Sequence, residues 1–290
     1  MSNSLPHIIN LPPFMFRGVD YDDLNFLSKI WFILKGKLLG LLINKTKGKL
    51  FCFIINFFYS KDGKIYFSEK KYYKETLSGD KYFYPNKRIL RVVNDYQKKF
   101  QVILDSYCIN YIKINTGDIL IDCGANVGEI NIALREKGIN LNYHAFEPDL
   151  ETFNCLSLNN ENQHLFNIGL SNTRDERELF IDNDGGNTSF LDFGSNESIK
   201  VKSSTLDSFN FDKKIKLFKV DAEGFEPEVL QGAKKTLDKI EYIAVDFGAE
   251  RGIEQETTII EVNSFLYEND FNLYKFSDYR MIGLYKNNKF

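Results

Sequence analysis

Residues 119–128 read ILIDCGANVG, an apolar run that ends at Asp122 and passes through a glycine turn into the start of a helix. That order of strand, acid, glycine loop and helix is how an α/β fold builds a site for a nucleotide-like cofactor. Gly124 permits a tight turn with close backbone approach, and Gly128 lets the following helix pack near the strand. The loop falls at the carboxyl end of a strand, where open α/β sheets bind their ligands. The glycine spacing is G-x-x-x-G, not the G-x-G-x-x-G that cradles a pyrophosphate, and no G-K-[ST] follows. A dinucleotide or a triphosphate is therefore disfavoured. By itself the loop also fits a β-turn-α junction that holds no ligand.

The next apolar run, LNYHAFE at residues 141–147, ends in Glu147 and is followed by Pro148. Glu147 lies 25 residues after Asp122, close to the spacing expected of an acid that binds a ribose. An ionised carboxylate accepts hydrogen bonds without donating, which suits two vicinal hydroxyls. The plainer reading is a solvated acid at a strand end. Pro148, with no backbone donor, suits the turn or first helical position before a helix at residues 152–158.

Taken in order, Asp122-Cys-Gly-Ala-Asn-Val-Gly128, Ala145-Phe-Glu-Pro148, Ser204-Thr-Leu-Asp207 and Lys219-Val-Asp-Ala-Glu-Gly-Phe-Glu226 resemble the FkbM family of S-adenosylmethionine-dependent methyltransferases. The resemblance covers residues 115–276, and its most specific part is K-x-D-x-E-G-x-E. It implies a class I methyltransferase fold, that is, an α/β Rossmann-like, mostly parallel seven-stranded sheet with helices on both faces. It also implies S-adenosyl-L-methionine as cofactor and O-methylation of a hydroxyl on a sugar or a polyketide-derived product. Asp122, Cys123, Gly124, Ala125, Asn126 and Gly128 would wrap the methionine end of that cofactor. Glu147, followed by Pro148, would hold the ribose. In two respects the chain departs from the family. Asp246-Phe-Gly stands where the family often has Glu-Leu or a similar pair, and the first hundred residues lie outside the resemblance.

At 290 residues the chain is long enough for one α/β domain with an appendage, and the expected partition is an extension over residues 1–112 and the methyltransferase domain over residues 113–290. Cys52, Cys108, Cys123 and Cys155 show neither C-x-x-C nor C-x-x-H spacing, which argues against zinc and against a disulfide framework. Cys123 reads as a small buried residue in preference to a reactive thiol. The polar residues 2–10, with Pro6, do not resemble a cleavable signal, so a cytoplasmic enzyme is expected.

A net charge of −3 conceals an asymmetry. Residues 1–117 carry 19 Lys or Arg against nine Asp or Glu, leaving 18 against 31 for the rest. Residues 24–61 contain seven lysines and no acid, with apolar runs at 30–43 and 50–59. Lys35 and Lys37 interrupt the first run and the second is too short, so no transmembrane helix is indicated. Leu24, Leu27, Trp31, Leu34, Leu38 and Leu41 recur at helical spacing. Such a helix either packs within the protein or across a homo-oligomer interface, or lies peripherally on an anionic membrane surface. Its lysines are embedded among aliphatics and no RNA-binding motif accompanies them, so nucleic acid is not an expected partner. Asn10-Leu-Pro-Pro-Phe14 superficially resembles the N-P-P-[YF] of base and amide methyltransferases, but Leu11 splits it and it precedes the cofactor loop.

Further along, residues 66–84 read as short aromatic strands or loops and residues 88–111 as a helix. A third strand is expected near 164–170, a pocket-shaping loop at 182–187, strands at 215–220 and 242–246, helices at 227–237 and 256–267, and closing strands at 272–276 and 281–285.

Methyl transfer to a hydroxyl needs in-line approach and removal of the hydroxyl proton. The histidines are poorly placed for that work: His7 is in the tail, His144 is within the second strand and His164 begins the third. A carboxylate base is expected instead, from Asp221 and Glu223 at the end of the fourth strand or Asp246 at the end of the fifth. Lys219 shares a strand face with Asp221 and would keep it ionised or bind the acceptor oxygen. The plainer alternative is a structural Lys–Asp pair among surface acids. A further one is a divalent metal on Asp221, Glu223 and Asp246, although no metal is required by the preferred reading. Glu226, followed by Pro227, is placed to favour a helix amino terminus. The reading that results is a methyltransferase acting on a sugar or glycoconjugate such as a cell-surface polysaccharide. A non-catalytic scaffold of the same fold and a nucleoside-cofactor oxidoreductase are the alternatives.

Overall fold

All five residues of Ile119–Cys123 are buried, and the strand they form is flanked on both sides by parallel neighbours, as an uninterrupted apolar run requires. The computed structural model describes residues 11–182 and 188–290. The chain divides into two compact units, Met1–Lys99 and Phe100–Phe290.

In the first unit, α1 (Phe26–Lys45) begins where the Asn25 side chain accepts from the Ser28 N–H, a standard amino-terminal cap, and is followed by α2 (Gly48–Phe58). The aromatic stretch beyond them forms an antiparallel sheet of β1 (Gly63–Ser68), β2 (Lys71–Thr76) and β3 (Lys81–Tyr84). Strand alternation turns Tyr72, Lys74 and Thr76 inward, and the buried Lys74 ammonium is met by Asp62 at 2.6 Å.

The helix expected over residues 88–111 is in fact three pieces. Lys87–Val92 is a 3-10 helix, α3 is Tyr96–Ser106, and Ile109–Tyr111 is a second 3-10 turn. The breaks fall at Asp95 (φ +49°) and Cys108 (φ +56°), whose left-handed backbone cannot continue a right-handed helix. Asp95 also starts α3, accepting from the Lys98 and Lys99 N–H groups through its carboxylate and carbonyl respectively.

In the second unit the elements alternate as β4 (Ile119–Cys123), α4 (Glu129–Glu136), β5 (Asn142–Phe146), α5 (Leu150–Asn159) and β6 (His164–Phe166). A small sheet of β7 (Gly169–Leu170), β8 (Glu176–Phe180) and β9 (Ser198–Ser204) intervenes. Then come β10 (Ile215–Val220), α6 (Glu226–Gln231), β11 (Ile240–Asp246), the short pair β12 (Ala249–Arg251) and β13 (Glu256–Thr257), α7 (Ile259–Glu268), β14 (Phe271–Phe276) and β15 (Ile282–Asn287). The main sheet runs β14-β15-β11-β10-β4-β5-β6, and only β15 is antiparallel to its neighbours. This is the seven-stranded, mostly parallel class I methyltransferase arrangement. Ile121, Phe218, Val220, Ile243 and Val245 of the central strands, with Val229 and Leu266 of α6 and α7, lie in its core.

Three other expectations are corrected. Residues 164–170 hold two strands, because Asn167 leaves the sheet to donate to the carbonyls of Glu147 and Pro148, and β7 joins β9 instead. The helix expected at 227–237 stops at Gln231, and the Lys235 and Thr236 N–H groups that would have extended it go to the Asp207 carboxylate; Gly232, directly after Gln231, lies so close to the Ser171 carbonyl that a Cβ would stand 1.9 Å from it. The helix expected from residue 256 starts at Ile259, because Glu256 and Thr257 pair with β12. The expected 182–187 loop falls, Asp182 aside, outside the described residues, as do His7 and Asn10.

Candidate active site

Parallel register aligns Lys219 of β10 with Asp122 of β4, and Asp122 with Ala145 of β5. The carboxyl ends of three strands thereby meet at the loop of residues 124–128. Gly124 (φ +68°) sits so close to β10 that a Cβ would stand 1.9 Å from the Asp221 carbonyl oxygen. Gly128 (φ +80°) is pressed on α5, where a Cβ would lie 2.1 Å from Asn160 Nδ2 and 2.8 Å from Leu156. The sequence indicated that Gly128 brings the helix close to the strand; its observed neighbour is α5. Asn126, between them, is also left-handed at φ +52°.

The Lys219 ammonium, 3 % exposed, fastens this loop. It donates to the carbonyls of Gly124 at 2.7 Å and Cys123 at 3.0 Å, and pairs with Asp122 Oδ1 at 3.0 Å. Burial lowers its pKa, but the carboxylates of Asp122 and Asp221 outweigh burial and hold it above the ordinary lysine value. Asp122 is buried as well, and the Tyr143 hydroxyl donates to its Oδ2 at 2.5 Å. Lys219 is thus occupied with backbone and Asp122, and Asp221 Oδ2 is 3.9 Å away.

Glu147, just beyond β5, accepts from the Asn126 N–H at 2.9 Å through one oxygen and from the Asp149 N–H at 3.0 Å through the other. The first bond ties the acid to the glycine loop. Burial pushes its pKa up to about 7 against the pull of these two donors. Each oxygen keeps a further lone pair, so the carboxylate retains capacity for a vicinal diol. A glycine loop and a buried acid at the ends of adjacent strands fit S-adenosylmethionine. Pro148, partly buried, leads into α5, which Asp149 caps by accepting from Thr152 N–H and hydroxyl.

A second set of carboxylates follows β10 and β11. Tyr107, in the turn after α3, donates its hydroxyl to Asp221 Oδ2, and Arg280 is ion-paired with Asp246 Oδ2. Burial and neighbouring Asp221 push Glu223 up to about 10 and Asp246 up to about 8, and the Tyr107 hydroxyl is raised well above the usual tyrosine value by the same two causes. Glu250 is raised by burial. Single oxygens of Asp221, Glu223 and Glu250 lie within 4.8 Å of one another. Asp246, which the sequence grouped with Asp221 and Glu223 as an oxygen set, is engaged by Arg280, and Glu250 completes the compact trio.

Glu226 is the first residue of α6, at the helix amino terminus as the sequence indicated, and it also makes specific contacts there. Its Oε1 accepts from the Ala222 and Gly224 N–H groups and its Oε2 from the Thr258 hydroxyl, so it shapes the loop that carries Glu223. Arg251 braces the same loop through the Gly224 carbonyl at 2.6 Å and a two-pronged contact with Glu228. Asp207 of the S-T-L-D motif accepts from the Lys235 and Thr236 N–H groups and from the Thr236 hydroxyl. His144 stacks on His164 with centroids 4.3 Å apart, and burial pushes it down to about 4, leaving it neutral. Burial raises the Cys123 thiol far above the usual value, which makes it inert; all four cysteines are buried and free. Tyr107, Tyr143, Glu250 and Arg280 were not identified from the sequence. Tyr143 alone had a signal there, sharing with Ala145 the strand face that meets Asp122.

Residues 122–282 match the Methyltransferase FkbM domain. Similar solved structures include a SAM-dependent methyltransferase from Aquifex aeolicus (12 % identity, 66 % of this chain and 97 % of that one, TM-score 0.38). TrmK of M. capricolum in complex with S-adenosyl-homocysteine has 10 % identity over 68 % of this chain and 70 % of that one, with a TM-score of 0.36. A SAM-dependent methyltransferase from Leishmania major has 12 % identity over 66 % and 73 %, with a TM-score of 0.35. No curated protein matches the sequence.

Proposed function

Since this chain belongs to the FkbM family of methyltransferases and is an S-adenosylmethionine-dependent enzyme, we propose that it methylates oxygen, at a hydroxyl of a sugar or glycoconjugate. The observation that supports this reading is the set of carboxylates after β10 and β11, namely Asp221, Glu223, Asp246 and Glu250, interleaved with the donors Tyr107 and Arg280. Closely spaced acceptors and donors suit a polyol, which presents several hydroxyls at once. When bound, S-adenosylmethionine supplies an electrophilic methyl group on a sulfonium. The loop of Asp122, Cys123, Gly124, Ala125, Asn126 and Gly128, with Glu147 and Pro148, holds it at the strand ends, and Lys219 and Asp122 keep that loop in place.

Asp221 then orients the acceptor hydroxyl and takes its proton, with Tyr107 fixing the carboxylate's rotamer. Asp246 and Glu223 bind neighbouring hydroxyls. Glu223, with its pKa pushed up to about 10, is largely protonated near neutral pH and donates as well as accepts, whereas Asp246, paired with Arg280, accepts. Lys219 is a positioning residue in this scheme. The test is incubation of the protein with S-adenosylmethionine carrying a 13C-labelled methyl group and a panel of sugars, nucleotide sugars and glycans. A methoxyl carbon signal in the product supports the reading; labelled N-methyl or carboxyl-ester product overturns it.

A further inference from the structure

α1 carries apolar side chains on two opposite faces. Gly36, Leu39 and Ile43 are buried. On the other side Leu27, Trp31, Leu34, Leu38 and Leu41 form a stripe at helical spacing that stays exposed, Leu27 to 76 % and Trp31 to 67 %. Phe26 and Ile30 widen the stripe, and α2 exposes Leu50, Phe53 and Phe57. Scattered apolar residues on a surface need no explanation, but a contiguous face on one 20-residue helix does.

The charge around this face selects its occupant. Residues 24–61 contain seven lysines and no acid. Lys35 turns inward over the Tyr59 ring at 4.4 Å, and Lys29 donates to the Asp22 carbonyl. Lys37, Lys45, Lys47 and Lys49 are exposed. A second copy docking on this face would bring lysines toward lysines with no acid from either segment between them. An anionic lipid surface meets both features, taking the apolar side chains at the acyl boundary and the ammonium groups at the headgroups. No helix among the described residues is long and apolar enough to cross a membrane, so the helix would lie in the interfacial plane. From these observations we propose that α1 and α2 form a peripheral docking surface for an anionic lipid bilayer. This goes beyond the methyl-transfer reading and does not depend on it.

Trp31 is the sole tryptophan of the chain, so its fluorescence reports on this face alone. The full-length protein is mixed with vesicles of phosphatidylcholine, with and without phosphatidylglycerol. The expected result is co-sedimentation and a blue shift of Trp31 emission with the anionic vesicles only, quenching by brominated acyl chains, and reversal at high salt. The combined substitution Lys37→Gln, Lys45→Gln, Lys47→Gln and Lys49→Gln should lower partitioning by about 100-fold or more. Its melting temperature and its stabilisation by S-adenosylhomocysteine should stay at wild-type values, which shows that the variant folds. Unshifted emission with the protein left in the supernatant overturns the proposal. So does a lipid-free dimer that Leu34→Asp converts to monomer, which would assign the face to a second copy.

Discussion

Replacing Lys219 by Met removes the ammonium that holds the cofactor loop while keeping most of the side-chain volume. Three contacts disappear, those to the carbonyls of Cys123 and Gly124 and to Asp122. The last matters most for stability, because Asp122 is 1 % exposed and would keep only the Tyr143 hydroxyl. Breaking a buried pair by removing one partner costs about 3 to 5 kcal/mol. Neutralisation of Asp122 by a proton limits the loss, so the expected value is about 3 kcal/mol, or roughly 6 to 12 °C in melting temperature for a domain of this size. Adding Asp122→Asn to Lys219→Met should restore about 1 to 2 kcal/mol, since the stranded charge is then absent. Denaturant titration of the wild type, both single variants and the double variant closes the cycle. A Lys219→Met protein within about 1 kcal/mol of wild type, or a double variant no better than it, would refute the account of the loop.

Asp221→Asn should leave S-adenosylhomocysteine affinity within a few-fold while lowering turnover by about 100-fold or more, measured by single-turnover methyl transfer; near-normal turnover would move the proton-accepting role to Asp246 or Glu223. Stability without cofactor should fall as pH rises from about 6 to 9. Glu147 and Glu226 at about 7, Asp246 at about 8 and Glu223 at about 10 all lie above their unfolded values, so the folded state binds the extra protons. Their contribution is fully present below the unfolded pKa values and declines by about 1.4 kcal/mol per pH unit for each carboxyl protonated only in the folded state; thermal melts across this range check the sign. Activity should survive a chelator, because burial raises the pKa of both Glu223 and Glu250 and so favours their uncharged forms, which need no cation to balance them; loss of activity restored by magnesium or manganese would assign a cation to the Asp221, Glu223 and Glu250 oxygens.

The strand bearing Asp122 was legible because a buried parallel strand demands a run of consecutive apolar residues, the strand Ile215–Val220 because its Ile, Leu, Phe and Val are β-prone despite two lysines, and the glycines around Asn126 mark a turn with left-handed backbone. Glu147 was legible for the same reason, as an acid ending such a run. The break at Asp95 was not, since apolar periodicity continues across it and only the backbone angle reveals the interruption. In α1 the periodicity identified a stripe but could not say which side faces inward; the stripe through Trp31 is exposed, and the core side uses Gly36, Leu39 and Ile43. Tyr107 and Arg280 reach the carboxylates from distant parts of the chain, and no local pattern announces them.

The most direct test of the cofactor site is calorimetric titration of S-adenosylhomocysteine into the wild type and Glu147→Ala. Wild type should bind, with affinity rising as pH is raised through about 7, because Glu147 must be ionised to accept both ribose hydroxyls. Glu147→Ala should bind about 2 to 3 kcal/mol more weakly and lose that pH dependence. Equal affinity for the two proteins, with the same pH profile, would contradict the placement of the ribose at Glu147.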